Sequence, residues 1–281
     1  MEGLERKQDK ILFVGHLDEV DDLETHGRDA PLEDTEKNKE DLSKIVDAVV
    51  SQIKDSGRKA VMFVTSSKIR SIETAQLVGA EIKKMLGEDV KVRYATEDDL
   101  RAPEQGEFIL PENYKPGSFF EGLKIASDIF YKESLDFPNQ NIHYKFGDPV
   151  LSPDGSYKYP ILVNYFKASG ETYAESLSRI LRLVIKMGQK VEKLDSAVEV
   201  IIVAHGFTYH MLRGLSVLAE KIKKENIQIR VEDVPRELSN IYESRTGELK
   251  DSMCVPIDIT NLGDGEMLDM LNKEVNFLDK K

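Results

Sequence analysis

The chain is short of positive charge and almost without cysteine. It carries 39 Lys and Arg against 51 Asp and Glu, a net charge of −12. That balance argues against non-specific nucleic-acid binding, which needs a basic surface. It also means that any anionic ligand requires a locally basic pocket. The single cysteine, Cys254, excludes an internal disulfide and fits a reducing compartment, so a cytoplasmic location is expected. Cys254 lies in Met253-Cys254-Val255 and reads as a buried strand residue. No apolar run approaches the roughly 20 residues of a membrane span, and no membrane partner is expected. Met1–Lys10 is charged and lacks the apolar stretch of a signal peptide. Internal repeats and low-complexity segments are also missing. What remains is 281 residues, 40% hydrophobic and 32% charged, enough for a sizeable core without disulfides or metals.

The elements alternate. Lys10–Gly15 reads as a strand, followed by an acidic loop, His16–Leu32. A helix over about Glu36–Lys54 places Leu42, Ile45, Val46, Val49, Val50 and Ile53 on one face. Ala60–Thr65 is apolar almost throughout, as a parallel strand covered on both faces should be. Ser66-Ser67 leads into a helix over about Ile69–Leu86, and Val90–Tyr94 forms a further strand. This order indicates an α/β fold, a three-layer sandwich with a mainly parallel central sheet and helices on both faces. Residues 107–168 differ in texture, holding six of the ten prolines and six of the ten tyrosines. We read this stretch as one large insertion or lid on a single domain spanning 1–281. Within it, Phe119–Tyr131 reads as a helix, and Pro153-Asp154-Gly155 as a turn between strands. A long helix is expected from Gly170-Glu171-Thr172 to about Leu194, a strand over Val198–Ala204 and a helix over about Thr208–Lys224. Two strand-like stretches close the chain, Ser239–Ser244 and Ser252–Thr260.

Two of the five histidines end buried apolar strands: His16 after Ile11–Gly15, and His205 after Val200–Ala204. In open α/β sheets, ligands bind beyond the carboxyl ends of the strands. Two imidazoles delivered there suggest one site, and imidazole serves as nucleophile, acid/base or metal ligand near neutral pH. Arg70 falls in the first turn of the helix after the second strand, at the same sheet edge and beside a helix N-terminus that favours anions. Together, imidazoles, guanidinium and helix start make a phosphate pocket. His26, His143 and His210 read as surface or packing residues, with His210 one turn beyond His205.

The order of motifs resembles the histidine phosphatase superfamily, which includes the cofactor-dependent phosphoglycerate mutases. That family runs strand–Arg-His-Gly, Pro-Leu-Thr, strand–Ser-x-x-x-Arg-Ala-x-x-Thr-Ala, Leu-x-Glu-x-x-x-Gly, Gly-Glu-Ser and strand–Ser-His-Gly. This chain reads Gly15-His16-Leu17, Pro31-Leu32-Glu33 and Ser66-Ser67-Lys68-Ile69-Arg70-Ser71-Ile72-Glu73-Thr74-Ala75. It continues with Leu100-Arg101-Ala102-Pro103-Glu104-Gln105-Gly106, Gly170-Glu171-Thr172 and Ala204-His205-Gly206. The resemblance implies a phosphoglycerate mutase-like fold and phosphomonoester hydrolysis through a phosphohistidine on His16. It further implies that His205 and Arg70 hold the phosphoryl group of a small phosphorylated substrate, without metal or other cofactor.

The chain departs from the family at three places. Gly15 replaces the motif arginine, Leu17 puts a side chain where backbone usually approaches phosphate, and Ala102 replaces the acidic proton donor. Arg28 or Arg101 are candidates for the lost cation, and Glu104 or Glu107 for the lost acid. A missing electrostatic donor lowers turnover about a hundred- to a thousandfold, and a missing general acid about a hundred- to ten-thousandfold. The alternative reading is therefore a catalytically degraded relative that binds a phosphorylated ligand or protein partner. A lesser alternative is a metal-dependent hydrolase, because Gly15-His16-Leu17-Asp18 resembles the Gly-His-x-Asp of M20-type zinc peptidases. In that reading His16, Asp18, Glu19, Asp21 and Asp22 supply ligands. The acidic run Asp18–Asp29 otherwise reads as a solvated loop that repels anions.

Overall fold

A computed structural model describes residues 10–20, 29–87, 89–102, 108–109, 142–146, 150–151, 153, 157–158, 161–165, 171, 173–191, 198–226, 230, 233–234, 237–238, 253–258, 269–273 and 276. The expected helix Phe119–Tyr131 and strand Ser239–Ser244 lie outside these residues, as does most of 107–168.

Alternation along three apolar strands builds the centre. In chain order the strands are β1 (Lys10–Gly15), β2 (Ala60–Thr65), β3 (Lys91–Thr96), β4 (Phe108–Ile109), β5 (Ile142–Phe146), β6 (Val150–Leu151), β7 (Tyr157–Lys158), β8 (Ile161–Tyr165), β9 (Val198–Ala204) and β10 (Cys254–Asp258). The main sheet has the order β10-β1-β9-β2-β3. Strands β1, β9, β2 and β3 are parallel, and β10 pairs antiparallel with β1. Helices α1 (Glu36–Ser56) and α2 (Ile69–Leu86) cover one face, and α3 (Tyr173–Val191) and α4 (Gly206–Glu225) the other.

The pleat divides each strand between the two faces. Leu12, Val14, Val61, Phe63, Ile201 and Val203 join Ile45, Val49 and Val50 of α1 and Val78 and Ile82 of α2 in one core. Ile11, Phe13, Val200, Ile202 and Ala204 join Leu177, Ile180 and Leu181 of α3 and Met211, Leu212 and Leu215 of α4 in the other. Each such buried side chain contributes about 1.5–3 kcal/mol. The central strand β9 carries one charge into this setting. Glu199 is fully buried and accepts hydrogen bonds from Arg58 at 2.5 Å and Gln52 at 3.0 Å, so its charge is met.

Helix ends follow local chemistry. The Thr35 hydroxyl accepts from the Asn38 amide at 3.2 Å to start α1, and Gly57 at φ 68° ends it in the left-handed region. The observed helix runs two residues beyond the expected Lys54. Helix α4 begins directly after His205 rather than at Thr208, so His205 occupies the N-cap position. Strand β3 is shifted to Lys91–Thr96 and α3 ends at Val191. Strands β6 and β7 pair antiparallel, and Asp154 and Gly155 of the expected turn lie outside the described residues. Cys254 is buried, and burial pushes its thiol up to about 12, so it is inert as a nucleophile. Among the described residues no helix is long and apolar enough to cross a membrane.

Candidate functional site

Register brings the two histidines together. Gly15 lies opposite Ala204, and Thr65 opposite Val203. The next residue on each strand, His16, His205 and Ser66, therefore emerges at one sheet edge. The His16 amide donates to the Ala204 carbonyl at 3.2 Å and the Ser66 amide to the Val203 carbonyl at 3.1 Å. The imidazole centroids are 4.9 Å apart and edge-on at 61°.

The hydrogen bonds decide the tautomers. His16 Nδ1 faces the Leu17 carbonyl at 2.8 Å. A carbonyl only accepts, so Nδ1 holds the proton and Nε2 keeps its lone pair. That lone pair receives Arg70 Nε–H at 3.3 Å. Arg70 also donates from Nη2 to His205 Nδ1 at 3.4 Å. His205 Nε2 is then the protonated nitrogen, donating to Ser66 Oγ at 2.9 Å, and Ser66 donates onward to Ser71 Oγ at 3.0 Å. Both rings are held neutral. Burial, reinforced by the Arg70 charge, lowers His16 to about 4 from its ordinary 6.5. Burial also takes His205 well below the ordinary value, with His16, Arg70, Lys68 and Arg179 adding to it.

Thr74 ties the backbone that follows His16 to the start of α2. Its hydroxyl accepts the Leu17 amide at 3.1 Å and donates to the Arg70 carbonyl at 2.7 Å. The Leu17 side chain points away from the pocket into the α1/α2 core, where it is 1% exposed. The expectation that this side chain crowds the phosphate position is therefore corrected. The residue after His16 is apolar because it packs, and its backbone remains at the site.

The acidic loop is also not simply solvated. Asp18 pairs with Lys37, Glu19 with Arg70 Nη1, and Asp29 accepts the Ile69 amide at the start of α2 at 2.8 Å. Asn38, buried on α1, organises this loop. Its Oδ1 accepts the Asp18 amide at 2.8 Å, and its Nδ2 donates to the carbonyls of Asp18 at 2.8 Å and Glu33 at 2.7 Å. A bridge between Glu19 and Leu32, and the Leu32 amide donating to Glu73 at 2.8 Å, complete the clasp. With Asp18 and Glu19 each paired to a cation, the described part of the loop does not form a metal cage. Among the described residues no group of three or more His, Cys, Asp or Glu is placed to hold a metal.

Of the candidates for the missing groups, Arg28 and Glu104 lie outside the described residues, as does Glu107. Arg101 pairs with Asp98 at 2.9 Å and with Glu171 at 3.4 Å. Glu171 also receives Arg179 Nε at 2.8 Å and Nη2 at 2.9 Å. Burial opposes ionisation of Glu171, but the hydrogen bonds and charge of Arg179, with Arg101 adding charge, hold its carboxyl below the ordinary value. Besides Arg70, Lys68 and Arg179 are cations whose charge lowers His205, and sequence reasoning missed these two. Lys68 was visible as the residue before the helix of Arg70, whereas Arg179 sits on α3, where nothing in the sequence marks its neighbour. His210 packs its ring edge-on against Tyr209 at 5.1 Å.

No protein-family model matches the chain, and no curated protein does so. Among solved structures it is similar to the product of an open reading frame of Mycobacterium tuberculosis, at 13% identity and a TM-score of 0.40, covering 82% of this chain and 85% of that one. It is also similar to a phosphoserine phosphatase of Entamoeba histolytica in complex with 3-phosphoglyceric acid, at 14% identity and a TM-score of 0.36, covering 79% and 86%.

Proposed function

We propose that the protein hydrolyses phosphomonoesters through a phosphohistidine on His16, acting as one histidine phosphatase-like domain with an insertion or lid at about 107–168. The observation that carries this reading is the His16 tautomer. A neutral imidazole with Nδ1–H bonded to a carbonyl turns the Nε2 lone pair toward a guanidinium and a second imidazole. Such a nitrogen is a competent nucleophile at neutral pH.

In the first step Nε2 forms a bond to phosphorus as the ester P–O bond breaks. The Leu17 carbonyl supports the positive charge that develops on the ring. In the second step water attacks phosphorus, the N–P bond breaks and inorganic phosphate leaves. Arg70 supplies donors to the equatorial oxygens, where most of the charge resides. His205, with its Nε2–H on Ser66 and its Nδ1 lone pair on Arg70, acts by holding the guanidinium in place. Ala102 cannot protonate a leaving group, so esters whose alcohols leave as stable anions should react fastest. The substrate is accordingly a small phosphorylated molecule, processed without metal or other cofactor.

A second reading, binding of a phosphorylated ligand without turnover, is favoured by the Glu19 carboxylate already seated on Arg70. Alkaline-quench trapping during turnover of p-nitrophenyl phosphate tests the two. A phosphoenzyme that is stable in base, labile in acid and lost in His16→Ala supports hydrolysis. Phosphate binding without turnover or a phosphoenzyme supports the second reading.

A further inference from the structure

Glu19 stands apart from the mechanism just described. A carboxylate at a phosphate-binding guanidinium competes with the substrate, yet this one is built in. Its loop is pinned on both sides of the residue. Asn38 grips Asp18 and Glu33 through three hydrogen bonds, the Val20 amide donates to the Pro31 carbonyl at 2.9 Å, and Glu19 itself bridges to Leu32. The Glu19–Arg70 pair is also largely shielded, with side chains 16% and 10% exposed. Glu19 is therefore delivered to the pocket by the fold and is not an incidental surface ion pair.

Among its described contacts the guanidinium directs Nε to His16, Nη2 to His205 and Nη1 to Glu19. A phosphoryl group held against His16 shares Arg70 with Glu19 and lies beside that carboxylate. Whatever else the substrate carries close to phosphorus then meets a fixed negative charge. In a partly shielded site the sign of this interaction is decisive: an ammonium gains from it and a second anion loses.

Building on the phosphatase reading, we propose that Glu19 is the specificity-determining residue. It selects phosphomonoesters that bear a cationic group near the phosphate and rejects those that bear a second anion there. The class is that of zwitterionic amino-alcohol phosphates. The carboxylate also explains how an acidic protein tolerates a basic clamp between two neutral imidazoles, since Glu19 neutralises Arg70 while the site is empty.

Two probes of similar size separate the charges: O-phosphoethanolamine, with an ammonium, and phosphoglycolate, with a carboxylate. At pH 7.5 the wild-type kcat/KM for the first should exceed that for the second about tenfold or more, from like-charge repulsion and ion pairing in this shielded setting. Glu19→Gln should bring the ratio close to one and tighten the binding of inorganic phosphate. A ratio unchanged by the substitution, or a wild-type preference for phosphoglycolate, overturns the proposal. Calorimetric binding of the same probes keeps the test separate from catalysis. Absence of turnover with a Glu19-dependent difference in Kd refutes hydrolysis and retains the selectivity. Equal Kd values, or binding of neither probe, overturn the selectivity. Should the variant fail to fold, the wild-type ratio of Kd values, which the leaving group does not affect, carries the test by itself.

Discussion

Acidification should destabilise the fold through His16 in a way that one substitution can isolate. In the unfolded chain His16 protonates near its ordinary 6.5; in the folded protein, burial and the Arg70 charge lower this to about 4. A lowered histidine pKa means that the unfolded state takes up the proton first. The stability associated with the neutral ring is thus complete above about pH 6.5 and is lost as pH falls toward 4. Between pH 7.5 and 4.5 the two states separate over roughly two pH units, at about 1.4 kcal/mol per unit, which amounts to about 2.5 kcal/mol. His205 acts in the same direction, and paired carboxylates such as Glu171 add an acid loss of their own. The raw slope of the wild type is therefore not diagnostic. His16→Asn removes the titration while Asn Nδ2 keeps a donor for the Leu17 carbonyl. Urea unfolding of both proteins at pH 7.5 and 4.5 should show the wild type losing about 2.5 kcal/mol more than the variant. Equal losses would refute the half-buried, neutral His16 on which the proposed nucleophile rests.

The acidic limb of kcat/KM should follow the same group, falling toward pH 4 rather than near 6.5; a limb centred at 6.5 would mean an ordinary, solvated imidazole. Arg70→Lys keeps charge but loses the fork that reaches both histidines and Glu19, so turnover should drop about a hundred- to a thousandfold in steady-state assays. Leu17→Ala removes a core side chain, and urea unfolding should register a loss of about 2–5 kcal/mol. Arg58→Met strands the buried Glu199 and should cost about 3–5 kcal/mol, seen as a lower urea midpoint.

The layered sheet was readable because β1, β2 and β9 are short apolar runs that end at polar loops, and their bounds follow from that contrast alone. Helix α4 was placed two residues late. Gly206 and Phe207 read as loop, yet Gly206 takes the first helical position and Phe207 packs into the core. The meeting of His16, His205 and Arg70 followed from their places at strand and helix ends, since parallel pairing carries such residues to one edge. Less could be read of what surrounds them. The role of Leu17 depends on which way one side chain turns at the end of β1, and no periodicity reports on a single residue leaving a strand. Asn38 and Thr74 reach backbone far away in sequence at Asp18 and Leu17, so the residue types alone do not reveal those targets. Within the described part of the acidic loop, Glu19 departs from the expected solvated charge for a related reason. Charge runs are usually solvated, but here Asn38 folds the loop back and aims Glu19 inward.

Strand β10 has a further consequence. It is the antiparallel member of the sheet, it pairs with β1 from Lys10↔Asp258 to Val14↔Cys254, and the Met253 carbonyl accepts the Gly15 amide at 2.9 Å. The strand that carries His16 is therefore shielded from becoming an open sheet edge by a segment drawn from the far end of the chain. Removal of that segment would expose the ladder of β1 as a template for another strand. A truncated chain would then be expected to self-associate next to His16, so the pairing of this segment and the accessibility of the site are set by the same row of hydrogen bonds.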